Sequence, residues 1–304
     1  GLIATFIKLR SENFVPKNDI IMLLTGDEET GMQSIRYFRE NFDDVKKAAF
    51  ALSSDGGFIA GTMESPEAFR LQSAEKVYLS YALTAENKGG HSSIPRDDNA
   101  IYDLVDALKR IEKYSFPISL NQTTRATLEF ALNDATDSNA NKINSILDET
   151  GSESKLLKTD PEMNAMIRTT CVATKIKGGH AENALPVSAS ATVNCRILPQ
   201  SDPNKIFKKI RELAGNKVSV SPISEAQFSP PSPITDEILK LVSSSIDTSF
   251  PSLPIVPTMS TGATDAIELR SNGIPVYGTS AMMTDPTGFR AHGLDERVEI
   301  SAFN

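Results

Sequence analysis

The sequence predicts an α/β protein: a mostly parallel sheet flanked by helices, interrupted by an inserted α+β domain of two layers. Three observations carry this. Strand-length apolar runs alternate with helical stretches near the start, as in a sheet covered on both faces. The texture then changes at about residue 73 to alternating strands and strongly amphipathic helices. Beyond the proline-rich SPPSP at 229–233, the strand-like GIPVYGTS restores the first texture. The expected organisation is a first α/β part at 1–72, an inserted α+β domain at 73–226, and a second α/β part at 227–304.

Each element has its own signal. Leu2, Ile3, Phe6, Ile7 and Leu9 recur at helical spacing, so the opening GLIATFIKLR predicts a helix. Residues 19–25 (DIIMLLT) predict a buried strand, and Ile35 and Phe38 mark a helix near 31–41. KAAFALSS predicts a second buried strand ending at Asp55. EKVYLSYALTAE alternates like a strand with one solvated face. Ile101, Leu104, Val105, Leu108 and Ile111 then form one helical stripe, with Asp98 as the expected cap. The polar stretch 133–160 reads as a loop-rich insertion with a short helix. TTCVATKIKG and SASATVNCRIL predict strands, and SDPNKIFKKIRELAG a helix capped by Asp202, with Pro203 first and Gly215 at its stop. The strand KVSVSPI closes the insertion, and TDEILKLVSSSI is a helix of the last part.

Composition narrows the class. The chain has 304 residues, 39% of them hydrophobic and 23% charged, which is the profile of a globular protein with a sizeable core. A net charge of −8 with scattered basic residues argues against a nucleic-acid partner. No apolar run approaches the roughly 18 residues of a membrane span. Cys171 and Cys195 are compatible with a bridge, but in a chain so poor in cysteine they read as two buried free thiols. The chain opens without methionine inside a helix-forming region, so we expect it to be part of a longer protein, and its compartment is left open.

TGDEETG places Asp27, Glu28 and Glu29 together where a buried strand is expected to end. A solvated acidic turn is the ordinary explanation of such a run. The apolar strand before it, with Gly26 and Gly31 on either side, favours a second one, in which a cation reconciles the charges. Asp55, in SSDGG, would ordinarily be a turn aspartate. Two acidic strand ends in one parallel sheet can, however, meet at one divalent metal, and zinc would usually add an imidazole. The histidines are His91, His180 and His292, each more often structural than functional when met alone. No GxSxG turn, GxGxxG loop, phosphate-cradling loop, HExxH helix or CxxC pair is present.

TGDEETG, SSDGG, KGGHSSIP, IKGGHAENALPVSASATVNCRILP, STGATDA and RAHGLDERV stand in the order found in one family of di-zinc metallohydrolases. That family contains glutamate carboxypeptidase, Gly-X carboxypeptidase, aminoacylase, carnosinase-type dipeptidases, and the acetylornithine and succinyl-diaminopimelate deacylases. The chain resembles it from end to end, most closely in the Gly-X carboxypeptidase branch. The resemblance implies a zinc exopeptidase-like catalytic domain whose inserted domain forms a homodimer. It implies two Zn2+ per subunit in the full-length form, with Co2+ or Mn2+ as alternatives. Glu28 matches the general base; Glu29 and His292 match ligands of one zinc and Asp55 a ligand of the second. His91 resembles the histidine of the inserted domain that stabilises the oxyanion. Asn183 and Arg196 match the residues that hold the substrate's carbonyl and free carboxylate.

The implied activity is hydrolysis of a peptide bond in a small substrate with a free carboxylate, by zinc-activated water. An N-acyl-amino-acid deacylase is the nearest alternative, and a non-catalytic dimerising or binding module the second. Two family ligands, the histidine of an HxD motif and the aspartate bridging both metals, would lie upstream of Gly1, and a final helix beyond SAFN. We therefore expect this chain by itself to bind zinc weakly or singly and to be nearly inactive.

Overall fold

The computed structural model describes residues 1–148, 160–225, 227–280, 282–283, 292–298 and 300. It divides into two compact units, Gly1–Ala48 and Ala49–Asn304. The first contains α1 (Leu2–Ser11), a short 3-10 turn (Glu28–Thr30), α2 (Gln33–Asn41) and α3 (Asp43–Lys46). Ile35 of α2 and Val45 of α3 are buried, and α2 forms where its apolar spacing predicts. The strand expected at 19–25 does not form. Ile20, Ile21 and Leu24 are exposed, and this unit holds no strand with which the segment could form a ladder.

The second unit is built on two sheets. In the first, β1 (Ala51–Ser53) runs parallel to β11 (Val276–Gly278), and β3 (Pro66–Glu75) runs parallel to β10 (Ile255–Ser260). β11 meets β3 antiparallel, giving the order β1-β11-β3-β10, and β2 (Phe58–Gly61) also pairs antiparallel with β3. Ile59, Phe69, Leu71 and Tyr277 pack under Ile238 and Val242 of α9 (Asp236–Ile246). β1 is shorter than the run KAAFALSS predicts, and Leu52 at its centre is exposed, so this edge strand is not the doubly covered one expected.

The second sheet is antiparallel throughout, in the order β6-β8-β4-β9. Its strands are β4 (Val77–Glu86), β6 (Thr170–Gly178), β8 (Ser188–Ile197) and β9 (Val218–Pro222). Two helices cover one face: α4 (Ala100–Lys113) and α8 (Pro203–Ala214). Leu104, Ala107 and Ile111 of α4 and Ile206 and Ile210 of α8 pack on Leu79, Tyr81, Leu83 and Val193. Burying each large aliphatic side chain here contributes about 1.5–3 kcal/mol. The cap of α8 is as predicted: Asp202 accepts the N–H of Asn204, and Gly215 ends the helix at φ 77°. The cap of α4 is not Asp98 but its neighbour Asn99, which accepts the N–H of Ile101. Asp98 is instead engaged by Arg96 and by Asn87 Nδ2 at 2.9 Å.

Between α4 and β6 the chain forms more helix than its polar sequence predicts. α5 (Gln122–Ala131), α6 (Asp137–Leu147) and α7 (Pro161–Ile167) enclose Leu128, Ile143, Ile146 and Ile167. Thr127 of α5 donates to the carbonyl of Pro257 at 2.7 Å, fixing this helix on β10. Part of the predicted loop, residues 149–159, lies outside the described residues, as does the SAFN stretch.

Cys171 and Cys195 form a disulfide, which corrects the free-thiol expectation. They are directly opposed on β6 and β8 with Cα atoms 4.1 Å apart, a strand pairing that a separation of 24 residues does not reveal. Among the described residues, no helix is long and apolar enough to cross a membrane.

Candidate active site

Asp55 follows β1 in a turn whose two glycines are needed by their surroundings. Gly57 has φ +74°, and a Cβ there would lie 2.3 Å from the carbonyl oxygen of Gly278. The N–H of Ser280 donates to Gly56 at 2.7 Å and that of Thr279 to Ser53 at 2.8 Å. Two backbones thus touch, and the turn carrying Asp55 is clamped to the end of β11.

Behind it lies a buried polar cluster. Glu75, the last residue of β3, accepts from Gln72 Nε2 at 2.8 Å and Thr264 Oγ1 at 2.6 Å, and pairs with Arg270 at 3.2 Å. Burial raises the pKa of Glu75; Arg270 opposes this, and the charge of Asp55 adds to it. Asp55 and Glu75 therefore sense each other as like charges. This explains the STGATDA motif. Its threonine ties the loop after β10 to Glu75, and α10 (Ala266–Arg270), which follows, delivers the arginine.

His91 and Asn183 are brought together. β5 (Gly90–His91) pairs with β7 (Ala184–Leu185), His91 opposite Ala184, and Ser92 N–H donates to the Asn183 carbonyl at 2.9 Å. His91 is exposed, and its Nδ1 accepts the backbone N–H of Ser93 at 3.2 Å. The neutral ring therefore carries its proton on Nε2, the form that can donate to a developing oxyanion. His180 is exposed, just before this pairing.

Arg196 lies on the face of the second sheet away from α4 and α8. It is half-buried, with its guanidinium carbon 4.7 Å from the centre of the Tyr78 ring. It has no salt bridge to an aspartate or glutamate among the described residues. Burial lowers its pKa. Nearby, Lys76 is fully buried and donates to the Arg168 carbonyl at 2.8 Å and Thr170 Oγ1 at 3.3 Å. Burial first, and Arg196 second, lower the Lys76 pKa to about 7.

In the first unit the three adjacent acids divide their work. Asp27 accepts the N–H groups of Gln33 at 2.7 Å and Ser34 at 3.0 Å, capping α2, and the Ser34 hydroxyl also bonds to it. These bonds, that of the Ser34 side chain first, lower its pKa. Glu28 and Glu29 occupy the 3-10 turn, Glu29 the more exposed. His292 is exposed with φ +64°. Among the described residues, no group of three or more His, Cys, Asp or Glu side chains is placed to hold a metal ion. Glu29, Asp55 and His292 are oxygen and nitrogen donors of the kind zinc takes.

Sequence reasoning missed Glu75, Lys76, Tyr78, Thr264 and Arg270. Glu75 and Lys76 stand at the start of an alternating strand, where charged residues ordinarily face water. Only the crossing between two sheets buries them.

A mixed sheet continued by an antiparallel sheet with two covering helices is the α/β plus α+β arrangement expected of the chain. Residues 73–220 match the model of the M20 peptidase dimerisation domain. That match covers just under half of the chain. The chain is 27% identical over 311 residues to the probable carboxypeptidase S-like 2 of Dictyostelium discoideum, covering 97% of this chain and 58% of that protein. It is 28% identical over 306 residues to the N-fatty-acyl-amino acid synthase/hydrolase PM20D1 of Homo sapiens, covering 95% and 60%. The chain thus spans about three-fifths of the length of these curated relatives. In fold it is similar to the M20 family metallo-carboxypeptidase Sso-CP2 of Sulfolobus solfataricus, with a TM-score of 0.57 at 17% identity, over 88% of this chain and 63% of that one.

Proposed function

We propose that the protein hydrolyses a peptide or amide bond in a small substrate with a free carboxylate, as a metal-dependent carboxypeptidase or dipeptidase. The observation that carries this reading is Arg196: a half-buried guanidinium that, among the described residues, has no acid beside it and its fork of donors uncommitted. Such a group matches a carboxylate by two parallel hydrogen bonds. Asn183 would hold the scissile carbonyl, and His91, brought close to it by β5 and β7, would donate from Nε2 to the oxyanion. Glu28 is assigned the general base. Glu29, Asp55 and His292 are assigned as metal donors in the whole protein, with zinc the expected ion; because the described residues form no metal cluster, the reading rests on the substrate-holding groups.

Hydrolysis of N-acyl amino acids is the second reading, favoured by the likeness to an N-fatty-acyl-amino acid synthase/hydrolase. Both readings need the same carboxylate clamp. A panel of dipeptides and N-acyl amino acids, each with its C-terminal amide counterpart, tests them on the whole protein with and without a chelator. Cleavage of the acids alone, abolished by the chelator, is expected. Equal cleavage of the amides would overturn the assignment of Arg196, and N-acyl hydrolysis without dipeptide cleavage would select the second reading. A homodimer formed through the inserted domain is part of the same proposal, with Val172 and Ile176 exposed on the edge strand β6. Light scattering on the purified protein checks it, and a monomer at high concentration would count against it.

A further inference from the structure

The polar face of the second sheet is more organised around Arg196 than a carboxylate clamp alone requires. Tyr78 is directly opposite Arg196 in the β4–β8 register, so ring and guanidinium come from paired positions. The next pair on that face is Ser80 with Asn194. Asn194 Nδ2 donates to Ser80 Oγ at 3.0 Å, and Ser80 Oγ donates to the Tyr78 hydroxyl at 3.3 Å. Ser80 is buried, so this short relay is anchored in the sheet. It holds the far end of a ring that is otherwise about half exposed, at 48%.

A long arginine side chain on an open sheet face would normally sample many rotamers, and holding it still costs entropy. Here the ring gives the cation a flat surface to lie on, and a stacked guanidinium keeps its N–H edge free for a ligand. The other cation nearby, Lys76, cannot neutralise Arg196 and disfavours any retreat towards Thr170, to which its own ammonium is bonded.

We propose that Tyr78 is a positioning residue for Arg196: the face of its ring holds the guanidinium in the orientation that receives the ligand's carboxylate. This rests on the reading of Arg196 as the carboxylate clamp. It assigns to Tyr78 no contact with the reacting bond.

The test is calorimetric titration of the full chain with N-acetyl-L-leucine and with its primary amide. Wild type is compared with Arg196→Leu, Tyr78→Phe, Tyr78→Leu and Tyr78→Thr. Wild type should bind the acid in preference to the amide, and Arg196→Leu should remove that preference. Tyr78→Leu and Tyr78→Thr should lose roughly 3- to 30-fold in affinity for the acid, the range of a cation–ring contact, with affinity for the amide unchanged. Tyr78→Phe, which keeps the ring, should stay within about 2-fold of wild type, because the face of the ring carries the contact. A merely structural defect would lower both ligands together, and that outcome would overturn the proposal. So would wild-type acid preference in both Tyr78→Leu and Tyr78→Thr, while Arg196 kept its role. If wild type does not prefer the acid, the clamp reading fails and the positioning role fails with it.

Discussion

Arg270 Nη1 lies 3.2 Å from a carboxylate oxygen of Glu75, and both side chains are shut away from water. The approach is off the hydrogen-bonding direction, since Nη1 has no aligned acceptor, so the contact is chiefly charge against charge. Arg270→Met would leave a buried carboxylate uncompensated, a loss of about 3–5 kcal/mol. Urea unfolding should show this loss at neutral pH and a smaller one in acid, where Glu75 can take up a proton. Adding Glu75→Gln to Arg270→Met should restore part of the stability. An Arg270→Met variant as stable as wild type would show that the pair is not holding the TDA loop.

Lys76 predicts a pH dependence of opposite sense to that of most buried carboxylates. Burial brings its pKa from 10.5 to about 7 in the folded chain, while the unfolded chain keeps the higher value. Between those two values unfolding takes up a proton, so stability should rise as pH increases from about 7 to about 10. Thermal unfolding across that window checks the slope, and Lys76→Met should flatten it. A slope unchanged in Lys76→Met would assign the effect elsewhere.

The disulfide between Cys171 and Cys195 ties the edge strand β6 to β8. For a loop of this length the chain-entropy account gives about 3–4 kcal/mol. The double variant Cys171→Ala and Cys195→Ala should unfold at lower denaturant by that amount, with the two sheets still formed. Alkylation without reductant should leave the wild-type mass unchanged. Rapid labelling of both thiols would contradict the bridge.

Gly57→Ala tests the clamp beneath Asp55. The left-handed conformation costs alanine roughly 1–2 kcal/mol, and its Cβ would also collide with the Gly278 carbonyl. A loss greater than that, seen as a fall in thermal midpoint, is expected. Gly179→Ala is the control, because its φ is also positive at +75° but nothing lies near its Cβ. Equal losses in the two would mean that the close approach to Gly278 contributes nothing.

The helices α2, α4, α8 and α9 were legible because each carries an apolar stripe that buries itself within its own unit. The cap at Asp202 was legible for the same local reason, whereas Asp98 and Asn99 offer equivalent caps and only the pull of Arg96 on Asp98 decides between them. The 19–25 segment shows the limit of apolar runs, since a strand exists only where another strand accepts its hydrogen bonds. The closeness of His91 to Asn183 was not readable from two GGH repeats. It depends on a two-residue ladder between loops far apart in sequence. Glu75, Lys76 and Tyr78 were hidden in an alternating pattern whose polar positions face not bulk water but a crossing and a stacked arginine.

That crossing has a mechanical consequence. The chain leaves the first sheet at Glu75 and enters the second at Val77, with Lys76 alone between them. Glu75 is bolted by its side chain to the TDA loop and α10, Lys76 to Thr170 at the start of β6 and to the Arg168 carbonyl just upstream. A swivel needs slack on at least one side of its pin, and here neither side has any. On this strand the two sheets turn together, and relative rotation there must first pull a buried charge from its socket.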